Sequence, residues 1–474
     1  MIDYRDDDSP RDACGVFGIW GHPHAVVLTH YGLYALQHRG QESAGMAVRD
    51  ECGRLVLHRG MGLVADVFDA ATMSELSGSA TLGHVRYSTT GSSALANAQP
   101  LKVRMKAKNV ALAHNGNLVN AEKIRDQLES EGSIFQTTSD TEVIAHLAAR
   151  APGDSMRQNL LRALQQVQGA YGFAALTSNA LFAARDPHGI RPLSLGRLEN
   201  GWVVASETCA LDAAGATFIR DVAPGEMLII DDDGINSVQI DPDNPRTEAF
   251  CIFEHIYFAR PDSNMGGINV HQARKNMGRL LAQDHPVDAD VVTGVPDSSL
   301  SAATGYAEET RIPYEMGLVR NRYIGRTFIQ PGDELRQKGV RLKLNPLLKV
   351  VQNRRVVLVD DSIVRGTTSK TLVRLLREAG AREVHLRISS PPYRHPCYFG
   401  IDTSTRGQLI ATDRSVDEVQ QLIGADSLAY LSGERVVEAS GGRLDDFCMA
   451  CFTGNYCMAM NDANDKLALE VEKG

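Results

Sequence analysis

Hydrophobic and polar residues alternate over short distances in the first half of the chain. Runs such as GWVVASETCA (201–210) and GEMLIIDDDG (225–234) are interrupted by Gly, Asp and Asn, a pattern that predicts antiparallel strands. Helices are predicted between such runs. In NAEKIRDQLESEG (120–132), Asn120 is a candidate N-cap, Ile124 and Leu128 share one face, and Gly132 can end the helix.

The second half has a different pattern, in which continuously apolar strands alternate with helices. DADVVTGV (288–295), RRVVLVDD (354–361) and EVHLRISS (383–390) predict strands, and SAATGYAEET (301–310) and KTLVRLLREAG (370–380) predict helices. Strand, helix and strand in this order are typical of a parallel sheet that is covered on both faces. The acidic, proline-containing stretch 240–250 predicts a linker, so we expect domains at 14–245 and 246–474 after a prefix at 1–13.

Composition narrows the possible classes of protein. The chain has 474 residues, of which 43% are hydrophobic, and its net charge is -9. This length predicts two domains, or at most three, and the acidic balance argues against nucleic acid as a partner. Neither a membrane-spanning stretch nor a signal peptide is predicted, so we expect a cytoplasmic protein without a membrane partner.

The stretch RRVVLVDDSIVRGTTSK (354–370) places two acids and a glycine-containing loop directly after an apolar strand. In open parallel sheets, ligands bind at the carboxyl ends of the strands. Gly366 lets the backbone approach a phosphate, and the N–H groups at the start of the next helix can donate to it. Carboxylates beside a phosphate site suit ribose hydroxyls and Mg²⁺. A turn that only caps a helix is the structural alternative.

This pattern resembles the type I phosphoribosyltransferases, an α/β family with a parallel sheet that binds 5-phosphoribosyl diphosphate (PRPP). The resemblance implies PRPP contacts from Asp360, Asp361, Arg365, Gly366, Thr367, Thr368 and Ser369. It also implies diphosphate and magnesium contacts at VVTGVPDSS (291–299), although this stretch alone could be a helix-capping turn. The implied magnesium residues are Ser298, Asp360 and Asp361.

A long basic stretch lies between these two motifs. Residues 320–345, RNRYIGRTFIQPGDELRQKGVRLKLN, carry many Arg and Lys residues among Gly and Pro. Such a loop is often only a surface segment, but functional lids are of the same kind. The resemblance implies that residues 322–345 close over PRPP.

Cys14 stands where the charged prefix MIDYRDDDSPRDA gives way to the apolar run GVFGIW. Taken alone it could be a buried structural cysteine. The Cys-Gly-Val-Phe-Gly start, however, resembles the N-terminal-nucleophile glutamine amidotransferases, whose α+β fold is an αββα sandwich. In that family the cysteine becomes the first residue, so residues 1–13 would be a propeptide. Its thiol attacks glutamine, and the freed α-amino group serves as the base.

Four further stretches match this family in order: LQHRGQESAG (36–45) with Arg39, GHVRYSTTG (83–91), AHNGNLVN (113–120) and TTSDTEV (137–143). The resemblance implies that Arg86 and Thr89 bind the glutamine carboxylate, and that Asp140 binds its ammonium group. Asn115 and the N–H of Gly116 are the implied oxyanion donors beside the nucleophile Cys14. Any one stretch could be a turn; the ordered set points to this family.

The two domains together resemble the glutamine phosphoribosylpyrophosphate amidotransferase family, which are glycosyltransferases. The resemblance implies that ammonia from glutamine passes through a sheltered channel to PRPP, giving 5-phosphoribosylamine, glutamate and diphosphate in the first committed step of purine synthesis. It further implies a homotetramer inhibited by purine nucleotides. A regulatory PRPP-binding module and an amidotransferase with another acceptor remain alternatives, although neither accounts for VVLVDDSIVRGTTS.

Half of the eight cysteines lie in the last fifth of the chain. Cys448 and Cys451 have the C-x2-C spacing shared by zinc and iron-sulfur sites, and the spacing does not choose the metal. Resemblance to the Bacillus-type members implies a [4Fe-4S] cluster bound by Cys251, Cys397, Cys448 and Cys451. Cys457 is the rival fourth ligand, and its apolar surroundings favour a buried free thiol instead.

Overall fold

The computed structural model describes residues 14–87, 93–244, 246–321, 344–403 and 406–460. Within these ranges the first half of the chain has thirteen strands, β1 to β13. In chain order they are Gly15–Trp20, Ser43–Arg49, Leu55–Met61, Ala80–Arg86, Leu101–Met105, Lys108–Leu118, Gly169–Leu176, Leu181–Arg185, Ser194–Leu198, Gly201–Ala205, Thr217–Asp221, Glu226–Asp231 and Gly234–Gln239.

These strands form two antiparallel sheets that face each other. The seven-stranded sheet has the order β11-β9-β10-β1-β4-β2-β3, and the six-stranded sheet has the order β13-β12-β8-β7-β6-β5. Every residue of β1, β4 and β7 is buried, because each strand has one face in the shared core and the other under a helix. Val16, Leu82, Ala113, Ala174 and Leu228 belong to the core between the sheets.

Seven α-helices in the described part of the first half lie on the outer faces of this pair of sheets. They are α1 to α7, at Ala25–Ala35, Val64–Val67, Ala70–Glu75, Ala121–Ser130, Thr141–Arg150, Met156–Leu164 and Thr208–Ala213. Helix α1 packs on the seven-stranded sheet, where Leu33 shares a core with Phe17 and Ile19. Helices α4 to α6 cover the six-stranded sheet through Leu128, Ile144 and other apolar side chains. The predicted αββα sandwich is therefore confirmed.

The predicted helix at 120–132 is present, but its start differs in detail. Helix α4 spans Ala121–Ser130, and the side chain of Asn120 makes no capping hydrogen bond. Asn120 instead donates to the Gln166 carbonyl and accepts from the Gln168 N–H, so it holds the segment between α6 and β7. Asn120 is therefore the N-cap residue by position, as predicted, but its side chain, whose groups also suit loop hydrogen bonds, bonds elsewhere.

In its described residues the second half of the chain adds ten short strands and seven α-helices. Strands β14 to β23 are Phe250–Cys251, Asn264–Met265, Ile268–Asn269, Val291–Gly294, Leu318–Arg320, Leu344–Pro346, Arg355–Asp360, Glu383–Ile388, Ser427–Tyr430 and Phe447–Cys448. Helices α8 to α14 are Val270–Asp284, Leu300–Thr310, Leu348–Val351, Thr367–Glu378, Val416–Ile423, Gly433–Ala439 and Ala450–Thr453. A π-helical turn at Glu254–Phe258 follows β14.

The main sheet of this half is parallel, with the order β17-β20-β21-β22. Alternate residues of β20 face opposite helical layers: Val357 and Val359 pack with helices α8 and α9, while Val356 and Leu358 pack with α11 and α12. Burial on both faces explains the continuously apolar strands, and the predicted α/β fold is confirmed.

In the stretch predicted as a linker, the described residues between the end of β13 at Gln239 and the start of β14 at Phe250 form no regular element. Hydrogen bonds from the Ala249 N–H to the His188 carbonyl and from the Cys251 N–H to the Ile190 carbonyl hold its end against the first half. The boundary at 245/246 stays a prediction. None of the helices in the described ranges is long and apolar enough to cross a membrane.

Candidate functional site

Cys14 lies immediately before β1 at the edge of the first core. Its thiol is buried and contacts the Tyr87 carbonyl at 3.5 Å. This contact follows from the sheet register, in which Gly15 of β1 lies opposite Val85 of β4. Cys14 has φ 55°, a left-handed conformation that is unfavourable for a residue with a Cβ. The backbone is therefore strained at the residue that follows the peptide bond between positions 13 and 14.

Asn115 and Gly116 come to the same region from β6. The Asn115 amide donates to the Ser206 hydroxyl at 3.4 Å, and this hydroxyl also accepts from the Val16 N–H at 2.9 Å. Ser206 therefore ties Asn115 to the start of β1. The Asn115 side-chain oxygen is buried and has no hydrogen-bond partner among the described residues. Gly116 has φ 140°, and a Cβ there would lie 2.0 Å from the Ala170 carbonyl oxygen.

Asp140 provides the negative charge of this region. Its carboxylate accepts from the Leu118 N–H at 3.0 Å and lies 3.6 Å from His114. Burial alone would raise the pKa of Asp140, but His114, the Leu118 N–H and Arg86 together hold that pKa below its usual range. A buried carboxylate and the buried Arg86 guanidinium can bind the two charged ends of an α-amino acid. Predicted residue Thr89 lies outside the described residues.

Arg39 lies elsewhere, in a buried group of charges that sequence reasoning missed. Its guanidinium donates to Glu207 and to Glu254. Arg191 donates to Glu254 at 3.1 Å and to the Phe399 carbonyl at 3.1 Å. The sequence does contain a sign of this group: Glu207 lies in the mostly apolar run VVASETCALDA and Glu254 in CIFEHIYFA. An acid in such a run needs a buried partner.

The second centre lies at the carboxyl edge of the parallel sheet. The Ser298 hydroxyl donates to Asp361 at 2.5 Å, and the Ser299 hydroxyl donates to Asp360 at 3.0 Å, so the two predicted strand ends meet. Burial raises the pKa of the Asp361 carboxyl, although the hydrogen bond from Ser298 and the charge of Arg274 oppose this shift. Two carboxylates with adjacent hydroxyls form an oxygen-rich ligand set of the kind that Mg²⁺ prefers.

The predicted phosphate loop follows these acids and starts a helix. Gly366 has φ 83°, and a Cβ there would lie 2.4 Å from the Ile410 side chain. It is the N-cap of α11, so the N–H groups of Thr367, Thr368 and Ser369 begin a twelve-residue helix. The first N–H groups of a helix can bind anions. The neighbouring Arg365 guanidinium donates to the Gln408 side chain at 3.0 Å.

The predicted lid can be described only at its base. Residues 322–343 lie outside the described residues, and with them the basic side chains Arg322, Arg326, Arg336, Lys338, Arg341 and Lys343. The flanking strands β18 and β19 pair antiparallel, with Arg320 opposite Leu344. Arg320 also lies 3.4 Å from Asp297. The two ends of the segment are therefore held together beside the second centre.

The four predicted ligand cysteines come together at a third place. Strands β14 and β23 pair in parallel, so Cys251 lies opposite Cys448. These two residues, with Cys397 and Cys451, line one small cavity, whose other walls are Ile190, Arg191, Phe399, Ile401, Ala450 and Tyr456. Burial raises the pKa of the Cys251 and Cys451 thiols well above the usual value.

Cys457 is not among the residues that line this cavity. It forms a hydrogen bond with Cys448 and is half-buried rather than buried, since the polypeptide beyond helix α14 runs near the surface. In the described part of the chain, no group of three or more His, Cys, Asp or Glu side chains is arranged to hold a metal ion.

Comparisons with known proteins agree with this two-centre arrangement. Residues 84–213 match the glutamine amidotransferase domain family, and residues 269–391 match the phosphoribosyl transferase domain family. Amidophosphoribosyltransferase from Bacillus subtilis (strain 168) is 54% identical to the chain, with 94% of each chain covered. The Synechococcus elongatus enzyme of the same name is 50% identical, over 98% of this chain and 95% of the relative.

Two solved structures are similar over nearly the full length. One, of the allosteric regulatory enzyme of purine biosynthesis, superposes with a TM-score of 0.91 at 53% identity and covers 96% of this chain and 99% of its own. The other, glutamine PRPP amidotransferase from B. subtilis complexed with ADP and GMP, has a TM-score of 0.90 at 53% identity, covering 95% and 98%. The resemblance drawn from the motifs is confirmed, and the chain belongs to the amidophosphoribosyltransferase family of enzymes.

Proposed function

We propose that the chain hydrolyses glutamine at Cys14 and transfers the ammonia to C1 of PRPP at the Asp360–Asp361 centre. The products are glutamate, 5-phosphoribosylamine and diphosphate, and the reaction is the first committed step of purine synthesis. The observation that carries this proposal is one chain with two built centres. A buried cysteine contacts Tyr87, next to Arg86, and Ser206 ties Asn115 to the strand that follows the cysteine. Paired acids precede a helix-starting loop at a sheet edge.

At the first centre, Arg86 and Asp140 bind the carboxylate and ammonium of glutamine, with Thr89 beside Arg86. The Cys14 sulfur attacks the side-chain carbonyl carbon, ammonia leaves, and water then hydrolyses the thioester to glutamate. The Asn115 amide and the Gly116 N–H donate to the oxyanion formed in each step. The thiol gives its proton to the α-amino group of Cys14, which passes it to the amide nitrogen as ammonia leaves.

Removal of residues 1–13 is therefore part of the proposal. In the uncut chain the Cys14 nitrogen belongs to an amide and has no basicity, whereas a free α-amino group has a pKa of about 8. The left-handed φ of Cys14 supports cleavage at this bond, since strained backbone is concentrated at functional sites. The propeptide itself lies outside the described residues.

At the second centre, Asp360 and Asp361 bind the ribose hydroxyls. The loop Arg365, Gly366, Thr367, Thr368 and Ser369 binds the 5-phosphate through its N–H groups, hydroxyls and guanidinium. Ammonia attacks C1 with inversion as diphosphate leaves. Asp360, Asp361 and Ser298 provide suitable oxygen ligands for Mg²⁺, which when bound neutralises charge on the diphosphate. Residues 322–345 close over PRPP and shelter the ammonia, because an ammonium ion has no lone pair with which to attack.

We also propose that Cys251, Cys397, Cys448 and Cys451 hold a [4Fe-4S] cluster. Their placement around one cavity supports this, and it favours them over Cys457, which lies outside it. Each thiolate of such a cluster binds a different iron, so the sulfur atoms surround the cluster and need not converge as they would on a single ion. A cluster joining these segments is structural, because the reaction has no redox step.

Regulation and assembly complete the proposal. The similar B. subtilis structure contains ADP and GMP, which supports purine nucleotides as inhibitors of this chain. We propose a cytoplasmic homotetramer, with domains at 14–245 and 246–474.

Two variants with opposite effects test the main proposal. Cys14→Ala is expected to lower glutamine-dependent synthesis at least about 10⁴-fold and to keep ammonia-dependent synthesis. Asp361→Asn is expected to lower synthesis from both nitrogen sources and to keep slow glutamine hydrolysis. Loss of both syntheses in folded Cys14→Ala protein would contradict the division of labour. PRPP binding without turnover in the wild type would favour a regulatory module, and an ATP requirement would favour another acceptor.

The cluster is tested by anaerobic purification of the wild type and two cysteine variants. Iron, sulfide and broad absorption near about 400 nm are expected in the wild type and in Cys457→Ser. Cys448→Ser is expected to be colourless and insoluble, because binding free energy at such sites is folding free energy. A fully active wild type that contains zinc or no metal would refute this assignment.

A further inference from the structure

Four charged side chains form a buried group where the two halves of the chain meet. We call Arg39, Arg191, Glu207 and Glu254 the junction ion cluster; each is at most 1% exposed. Arg39 donates to both carboxylates, and Arg191 donates to Glu254. The two positive and two negative charges balance, which is the condition for burying them. Glu254 is the only one of the four that the second half supplies.

The first connection from this cluster runs through the backbone next to Arg39. A Cβ on Gly40 would lie 2.5 Å from the Val85 carbonyl carbon and 2.6 Å from the Arg86 nitrogen, so the two backbones are in close contact. The Glu42 N–H also donates to the Arg86 carbonyl at 3.1 Å. A shift of Arg39 would therefore displace the end of β4, which carries Arg86.

The second connection runs through Glu207. The preceding residue, Ser206, accepts hydrogen bonds from the Asn115 amide and the Val16 N–H. Burial alone would raise the pKa of Glu207, but His38 and Arg39 hold it well below its usual range, so it is ionised. Arg39 thus binds Glu207, which adjoins Ser206, the residue that accepts from Asn115. Its neighbour Gly40 packs against the backbone of Arg86.

We propose that Glu254 is a positioning residue for glutamine hydrolysis. By holding Arg39 between itself and Glu207, it fixes the two backbone segments that carry Arg86 and support Asn115. It touches no reacting atom. Without its charge, Arg39 and Arg191 would face a single carboxylate, and Arg39 would move. This inference rests on the proposed glutamine site at Cys14, and it makes the second half of the chain a structural part of that site.

Glu254→Gln tests the inference, because it removes the charge and keeps the shape. The kcat/KM for glutamine is expected to fall between about tenfold and a hundredfold, as expected for small misplacement of binding groups. Ammonia-dependent synthesis is expected to stay within about twofold, since no group of the PRPP centre is altered. Alkylation of Cys14 by the glutamine analogue 6-diazo-5-oxonorleucine is expected to slow in parallel. Glu248→Gln, an exposed acid in the preceding segment, is the matched control and is expected to change neither activity.

A double variant distinguishes positioning from general destabilisation. If Glu254 acts through Arg39, then Arg39→Gln/Glu254→Gln is expected to be no worse with glutamine than Arg39→Gln alone. Normal glutamine kinetics in Glu254→Gln, fully additive losses, or parallel loss of both activities in the single and double variants would overturn the inference. Cys14→Ala distinguishes failure of the positioning role of Glu254 from failure of the proposed glutamine site. If Cys14→Ala still used glutamine, the proposed site itself would be wrong.

Discussion

The proposed glutamine centre and the proposed PRPP centre differ in how deeply their described residues are buried. At the glutamine centre Cys14, Arg86, Asn115 and Asp140 are at most 5% exposed. At the PRPP centre the acids are buried, but Asp297 and Thr367 are exposed and Ser298 and Arg365 are half-buried. We therefore expect the first centre to be sensitive to backbone geometry, whereas the described side chains of the second centre are exposed enough to adjust to a ligand.

The largest difference between the centres is expected from Gly116→Ala. The new methyl group would meet the Ala170 carbonyl oxygen at 2.0 Å, in a backbone conformation that alanine disfavours. The oxyanion N–H would be displaced, so kcat with glutamine is expected to fall about 10³-fold while ammonia-dependent synthesis continues. Gly132→Ala is the control, because φ is +89° there and no atom lies within 4 Å of the added Cβ. Equal losses in both variants would contradict the role of the close contact.

Asp140→Asn tests the charge of the enclosed centre rather than its shape. The amide keeps the size of the side chain but cannot pair with the ammonium group of glutamine. We expect KM for glutamine to rise about a hundredfold, with PRPP saturation unchanged. Steady-state kinetics on both substrates check this, with the exposed Asp154→Asn as control. An unchanged KM would remove Asp140 from the glutamine site.

Gly366→Ala applies the same backbone test to the open centre and is expected to have a smaller effect. Its Cβ would meet the end of the Ile410 side chain at 2.4 Å, and a side-chain end can move where a backbone carbonyl cannot. The remaining cost is the left-handed φ, so KM for PRPP is expected to rise about tenfold with either nitrogen source. Gly424→Ala, at φ +81° with nothing within 4 Å, is the control. A loss as large as that of Gly116→Ala would break the comparison.

Ser206→Ala gives the smallest predicted effect. It removes the acceptor of the Val16 N–H and of the Asn115 amide. A buried N–H left without its acceptor costs about 1–3 kcal/mol, so denaturant unfolding is expected to show a loss in that range. The kcat with glutamine is expected to fall about fivefold, because Asn115 loses one support and keeps its strand. Exposed Ser178→Ala is the control.

Sequence reasoning succeeded where chemistry and local pattern coincide. The apolar run before Asp360 and the glycine in the following loop predicted a strand, a turn and a helix start, and these are present. The predicted meeting of Cys251 and Cys397 with Cys448 and Cys451 rested on family resemblance, because segments so distant in the sequence share no local signal. The structure brings them to one cavity.

Sequence reasoning failed where a residue's role depends on a partner from another segment. Arg39 lies in a recognised stretch, yet its contacts are with Glu207 and Glu254, far along the chain. Ser206 has no distinctive neighbours and gains its role only because β1 and β6 pass on either side of it. Such roles follow from tertiary packing, which single-segment patterns do not contain.

The pairing of Phe250–Cys251 with Phe447–Cys448 has a consequence for the order of assembly during translation. The first partner leaves the ribosome long before the second, and until then one edge of β14 is unpaired. Domains fold as units during synthesis, starting from the N-terminus. The first half of the chain can therefore complete its sheets before β14 has paired with β23. Closure of the cysteine cavity must therefore wait until the ribosome has translated the whole parallel sheet.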